Sequence, residues 1–165
     1  MTVRKILTWP DKRLRAVCTD VGEVTDEVRV IWDDMIETMD AMPGVGLGAP
    51  QIGVMQRLAV VDTSEARNKR IKLANPEVID ASAIMNVHEE ASPCLSGVSA
   101  KVSRPRGVKV RYMDETGAVV ERDFVGLDAT SVQHQIDHLN GKLYLDRLSK
   151  MKRDMLIKRA AKLNG

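Results

Sequence analysis

Apolar and polar positions alternate in two different rhythms along this chain, and the change of rhythm divides it into elements. Val28, Ile31, Trp32, Met35, Ile36 and Met39 recur at helical spacing and predict an amphipathic helix over 25–42. Thr25 stands at its start as a plausible N-cap, and Asp26 and Glu27 fill the first turn, where negative charge suits the helix dipole. Pro43-Gly44 then breaks the pattern. Strand-length apolar runs follow at 57–62 and 72–75, separated by a polar, charged loop at 63–70. Residues 108–112 alternate apolar and basic, Asp114-Glu115-Thr116-Gly117 reads as a turn, and 118–124 supplies the partner strand of a hairpin. Helical spacing returns over 129–139 and stops at Asn140-Gly141. A last helix begins near Ser149, with Met151, Met155, Leu156, Ala160 and Leu163 along one stripe. A helix, several antiparallel strands and then helices predict an α+β fold, not alternating βαβ units.

A chain of 165 residues fits one domain, 1–165, large enough to bury a sizeable core. With aromatics at only 3%, that core must rest on Val, Ile, Leu and nine Met. The net charge of +2 gives no reason to expect sequence-specific nucleic-acid binding, but the charge is uneven. From Lys142 onward eight Lys and Arg stand against two Asp. Cys18 and Cys94 are too few for a disulfide framework and fit a reducing compartment. With neither a signal-peptide h-region nor a membrane-length apolar run, a cytoplasmic protein with no membrane partner is expected.

Candidate chemistry concentrates in three segments. In Gln133-His134-Gln135-Ile136-Asp137-His138, two histidines four apart share one helix face and can bind one metal ion. H-E-x-x-H hydrolases carry a proton-transferring glutamate after the first histidine. Here Gln135 holds that position, close to glutamate in shape but unable to ionise. A third ligand is needed, and Cys94, in Ala91-Ser92-Pro93-Cys94-Leu95-Ser96-Gly97, is the natural one. Cys18 reads as a buried structural thiol. The third segment, Gly44-Val45-Gly46-Leu47-Gly48-Ala49-Pro50-Gln51-Ile52-Gly53, permits close backbone approach, and Gln51 offers an amide donor. It lacks the Lys-Ser/Thr ending of a P-loop and follows a helix, which excludes a phosphate-binding loop.

Taken together, the Gly-rich segment ending in Gln51, then Cys94-Leu95-Ser96, then the histidine pair resembles the peptide deformylase family. Trp9-Pro10-Asp11-Lys12-Arg13-Leu14-Arg15, Val102-Ser103-Arg104-Pro105 and Asp137 through Leu148 resemble other segments of that family. The resemblance implies a peptide deformylase-like fold with antiparallel sheets around a metal-binding helix, flanked by an N-terminal and a C-terminal helix. It implies removal of the formyl group from the N-terminal formyl-methionine of nascent polypeptides. Cys94, His134 and His138 would hold one divalent metal, ferrous iron in many members and zinc or nickel in others. The Gln51 side chain and the Leu95 N–H would bind the oxyanion. The pocket would draw on Gly44, Val45, Gly46, Ser92, Pro93 and Arg104, with Val45 and residues near Val132 to His134 receiving the methionine side chain. The basic C-terminal helix would be a ribosome contact, with salt-sensitive affinity.

This chain departs from the family pattern at three points. Gln135 replaces the glutamate, so deformylation should be impaired or altered. Ser92-Pro93 stands where Glu-Gly is usual, leaving Arg104 to find another partner such as Glu89 or Glu90. Gly48 replaces a usual alanine. Two functions therefore compete: a deformylase with unusual site chemistry, and a non-catalytic homologue that binds formyl-methionyl termini or the ribosome. A general histidine-pair zinc peptidase explains neither Cys94 nor Gln51.

Overall fold

The computed structural model describes residues 2–164, so the two end residues of the expected domain, Met1 and Gly165, lie outside the described residues. Its elements in chain order are α1 (Asp26–Ala41), β1 (Gly46–Gly48), β2 (Leu58–Val61), β3 (Ile71–Ala81), β4 (Met85–Glu90), β5 (Ala100–Pro105), β6 (Gly107–Met113), β7 (Val119–Val125), α2 (Gly126–Leu139) and α3 (Lys150–Asn164). Five strands form one antiparallel sheet in the order β1-β2-β3-β6-β7, and β4 pairs with β5 in a second. The α+β architecture is as expected, including the β6–β7 hairpin.

Strand β2 explains how the two principal helices are placed. Leu58 and Val60 point into a core shared with Trp32, Met35 and Met39 of α1, while Ala59 and Val61 point into one shared with Val132, Ile136 and Leu139 of α2. Both faces of the strand are buried, which is why it reads as an uninterrupted apolar run. Thr25 caps α1 as expected, its hydroxyl accepting from the Val28 N–H at 3.2 Å. A third cluster gathers Leu95, Val102, Leu143 and Tyr144 against Leu156 and Ala160 of α3. Among the described residues, no helix is long and apolar enough to cross a membrane.

Three expectations about the elements need correction. The C-terminal stripe is rotated: Leu156 and Ala160 are buried, but Met151, Met155 and Leu163 are exposed. The helix docks through 156, 157 and 160, and its remaining apolar residues fall outside that arc. Strand β3 runs well past 75, through Pro76 to Ala81, with register shifts against β6 that accommodate the proline. Strands β1, β4 and β5 gave no strand pattern in the sequence. β1 is only Gly-Leu-Gly, and β4 turns Met85 and Val87 outward while burying Glu90.

Candidate functional site

Helix α2 carries the histidine pair, both imidazoles buried, with His134 in the wall of a cavity. Their Nε2 atoms face each other at 3.2 Å. Nδ1 of His134 lies 2.8 Å from Oε1 of Glu90. A carboxylate only accepts, so His134 carries its proton on Nδ1 and presents the Nε2 lone pair toward His138. Burial, reinforced by neighbouring His134, pushes His138 well below its ordinary value and keeps it neutral. Tyr144 stacks on the His134 ring with centroids 5.9 Å apart, fixing its plane.

Glu90 also answers the question of what pairs with Arg104. It receives Arg104 Nε at 2.7 Å and Nη2 at 2.9 Å, a two-pronged pair with both side chains buried. Arg104 Nη1 continues to Asp137 Oδ2 at 2.9 Å, and Arg147 closes on Asp137 at 2.7 and 2.9 Å. Burial alone would raise the Glu90 carboxyl, yet the His134 and Arg104 hydrogen bonds together hold it below its ordinary range. The chain Arg147–Asp137–Arg104–Glu90–His134 therefore runs from the surface to the imidazole as one satisfied network. Glu89, the other partner considered, instead accepts from Ser99 Oγ at 2.8 Å. Arg104 is 0% exposed and does not line the pocket, so its expected place in the pocket wall is corrected.

Gln51 sits on a short helical turn, 49–52, ended by Gly53, whose φ of +80° favours glycine. The Gly48 N–H donates to Gln51 Oε1 at 2.8 Å, which turns the amide nitrogen toward Ser92 Oγ and Cys94 Sγ, each at 3.4 Å. The N-terminal segment straps both loops together, Leu7 N–H donating to Gln51 O and Trp9 N–H to Cys94 O, each at 2.8 Å. Burial raises the Cys94 thiol, with the Ser92 and Gln51 hydrogen bonds opposing in part. The Leu95 N–H, expected to bind an oxyanion, donates instead to Ser92 O at 3.0 Å within the 93–95 turn. Cys18 is buried in the aliphatic core, as expected of a structural thiol.

A cavity of about 470 Å³ opens above these groups. Gly44, Val45, Gly46, Ser92 and Pro93 line it, with His134 and Gln135. Met42, Val98 and Leu127 add apolar wall that the sequence did not mark, and Val132 is buried behind it in the core. Gln135 is 4% exposed, and its Oε1 has no hydrogen-bond partner among the described residues. A Cβ on Gly46 would stand 2.5 Å from Gln135 Nε2 and 2.7 Å from Ser131 Oγ, so the bare backbone there makes room for the amide.

The two imidazoles fit a divalent metal ion in type and in the direction of their facing Nε2 atoms. Cys94 fits in type and is buried, its Sγ 3.4 Å from the Gln51 amide nitrogen. Among the described residues no three His, Cys, Asp or Glu side chains are gathered into one ligand group.

A helix-borne histidine pair tied to a buried carboxylate stands beside a cavity walled by a glycine-rich strand and the 92–97 turn, an arrangement of hydrolase type. The sequence profile of the polypeptide deformylase family matches residues 3–154, and the chain belongs to that family. A peptide deformylase of Rhodopseudomonas palustris (strain TIE-1) is 45% identical, over 98% of this chain and 95% of its own length. The solved structure of peptide deformylase from Ehrlichia chaffeensis in complex with actinonin is 35% identical, with a TM-score of 0.92 over 99% of each chain. That of a peptide deformylase from Legionella pneumophila is 38% identical, with a TM-score of 0.91, covering 98% of this chain and 95% of the other.

Proposed function

We propose that this chain receives N-formylmethionyl peptide ends in the 470 Å³ cavity and hydrolyses their formamide poorly. Support comes from the family membership, the retained His134, His138, Cys94 and Gln51, and the apolar wall of Met42, Val45, Val98 and Leu127 suited to a methionine side chain. Cys94, His134 and His138 would hold a divalent metal ion, iron, zinc or nickel, which when bound supplies Lewis-acid polarisation and a more acidic water. Glu90 keeps His134 in the tautomer such a site needs.

The observation that carries the impairment is Gln135 in the cavity wall, with its Oε1 buried and unpartnered. That oxygen can accept a hydrogen bond from a water or from the formamide N–H. It cannot take a proton, and the amide cannot deliver one to the leaving amine. Recognition without turnover is the second reading, and the Leu95 N–H supports it, since a donor committed to Ser92 O is not free for an oxyanion. On the outer face of α3, Lys150, Lys152, Lys158, Arg159 and Lys162 are exposed, which suits a phosphate-rich ribosomal surface.

Titration calorimetry with formyl-Met-Ala-Ser and with Met-Ala-Ser tests the cavity assignment. At least tenfold tighter binding of the formylated peptide is expected, and equal affinities would refute it.

A further inference from the structure

The wall of the cavity carries one charge that nothing balances. Among the described residues its lining holds neither lysine nor arginine, and its two carboxylates are Glu89 and Glu90. Glu90 is buried and answered by Arg104 and His134. Glu89 is the residue before it on β4, and successive side chains of a strand leave on opposite faces, so Glu89 stands at the exposed rim. Its Oε1 accepts from Ser99 Oγ at 2.8 Å, which holds the carboxylate in place, and its Oε2 has no partner among the described residues. Lys101 lies opposite it in the β4–β5 register but forms no ion pair with it. The other exposed residues of the lining, Val45, Ala91, Ser96, Gly97 and Leu127, are uncharged. Resting on the reading that this cavity takes a formylated peptide end, we propose that Glu89 sets a charge preference among those peptides, favouring lysine or arginine one or two residues after the methionine.

The position in the peptide follows from how an extended chain must lie. Its formyl group goes to His134 and Gln135, and its methionine to the apolar wall of Met42, Val45, Val98 and Leu127. An extended chain advances about 3.3 Å per residue, so the residues just after the methionine are the ones that cross the rim. A cationic side chain there meets the Glu89 carboxylate, and an acidic one meets like charge. The chain as a whole carries +2, which by itself would draw acidic peptides. A preference for basic ones must therefore arise locally. Because Glu89 faces water, the attraction is modest and salt weakens it.

Calorimetry on the full chain, as wild type and as Glu89→Gln, tests this with formyl-Met-Lys-Lys-amide, formyl-Met-Glu-Glu-amide and formyl-Met-Ala-Ala-amide. Amidation keeps a terminal carboxylate away from the rim. At low salt, wild type should bind the lysine peptide about 3- to 10-fold tighter than the glutamate peptide, the worth of exposed charge contacts of opposite sign. At about 0.5 M salt the ratio should shrink to within about twofold, since screening then acts within a few ångströms. Glu89→Gln keeps an acceptor oxygen for Ser99 and removes the charge, so its low-salt ratio should also fall within about twofold. Three results overturn the proposal: equal affinities in wild type, a preference for the glutamate peptide, or a lysine preference that persists in Glu89→Gln. Each leaves the cavity assignment standing as long as the alanine peptide binds. If wild type binds none of the three, the cavity assignment fails and the proposal falls with it.

Discussion

Removing Glu90 should expose how much of the site's architecture rests on one buried carboxylate. Glu90 is 6% exposed and accepts from Arg104 at 2.7 and 2.9 Å and from His134 at 2.8 Å. Glu90→Ala leaves a fully buried guanidinium with Asp137 as its remaining carboxylate, and His134 Nδ1 with no acceptor. Breaking a buried ion pair from one side costs about 3–5 kcal/mol. Because Asp137 still compensates half of Arg104, the lower end, about 3 kcal/mol, is expected. For a chain of this length that is a fall of about 6–12 °C in Tm. Glu90→Gln keeps the volume and one acceptor oxygen and should cost about 1.5–3 kcal/mol. Glu89→Ala, one position away but exposed and bonded to Ser99, should stay within about 0.5 kcal/mol. Urea unfolding at neutral pH, followed by circular dichroism, measures all three. A loss below about 1 kcal/mol for Glu90→Ala with an unchanged m-value would refute the reasoning.

Other outcomes follow from the same packing. Gly46→Ala should cost about 1–3 kcal/mol by overpacking and displace the Gln135 amide, seen as lower Tm and weaker formyl-peptide binding. On α3, Leu156→Ala should cost about 2–5 kcal/mol, while Met155→Gln should change stability by less than about 0.5 kcal/mol; denaturant melts decide. Burial would raise the Asp137 carboxyl, but Arg147 and Arg104 outweigh it and hold the folded value below the ordinary one. Its contribution is therefore complete above the unfolded carboxylate pKa and lost as pH falls through the lower folded value. Asp137→Asn should be less stable at neutral pH yet show a shallower acid limb in a pH series of melts.

Much of this was readable because one physical cause acted alone. Helix α1 packs one stripe against one sheet face, so its spacing, its Thr25 cap and its end were all legible. The histidine pair was legible because helical geometry fixes i and i+4 without help from tertiary structure. Strand β4 was not, since it buries a glutamate and exposes Met85 and Val87, the reverse of the usual alternation. On α3 the spacing was genuine, but only the neighbours' position decides which apolar residues meet the core, and Met151, Met155 and Leu163 miss it. At the site, residue types could be listed from sequence, whereas hydrogen-bond commitments could not. The choice of Glu90 over Glu89 depends on strand facing, and the Leu95 N–H is claimed by a turn that Pro93 starts.

The central claim, that this family member keeps the binding site and has lost proton transfer, is tested most directly by turnover of formyl-Met-Ala-Ser on metal-loaded wild type and Gln135→Glu. Restoring an ionisable group at that place should raise kcat about 10²–10⁴-fold with little change in peptide affinity. Equal kcat values in the two proteins would contradict the account.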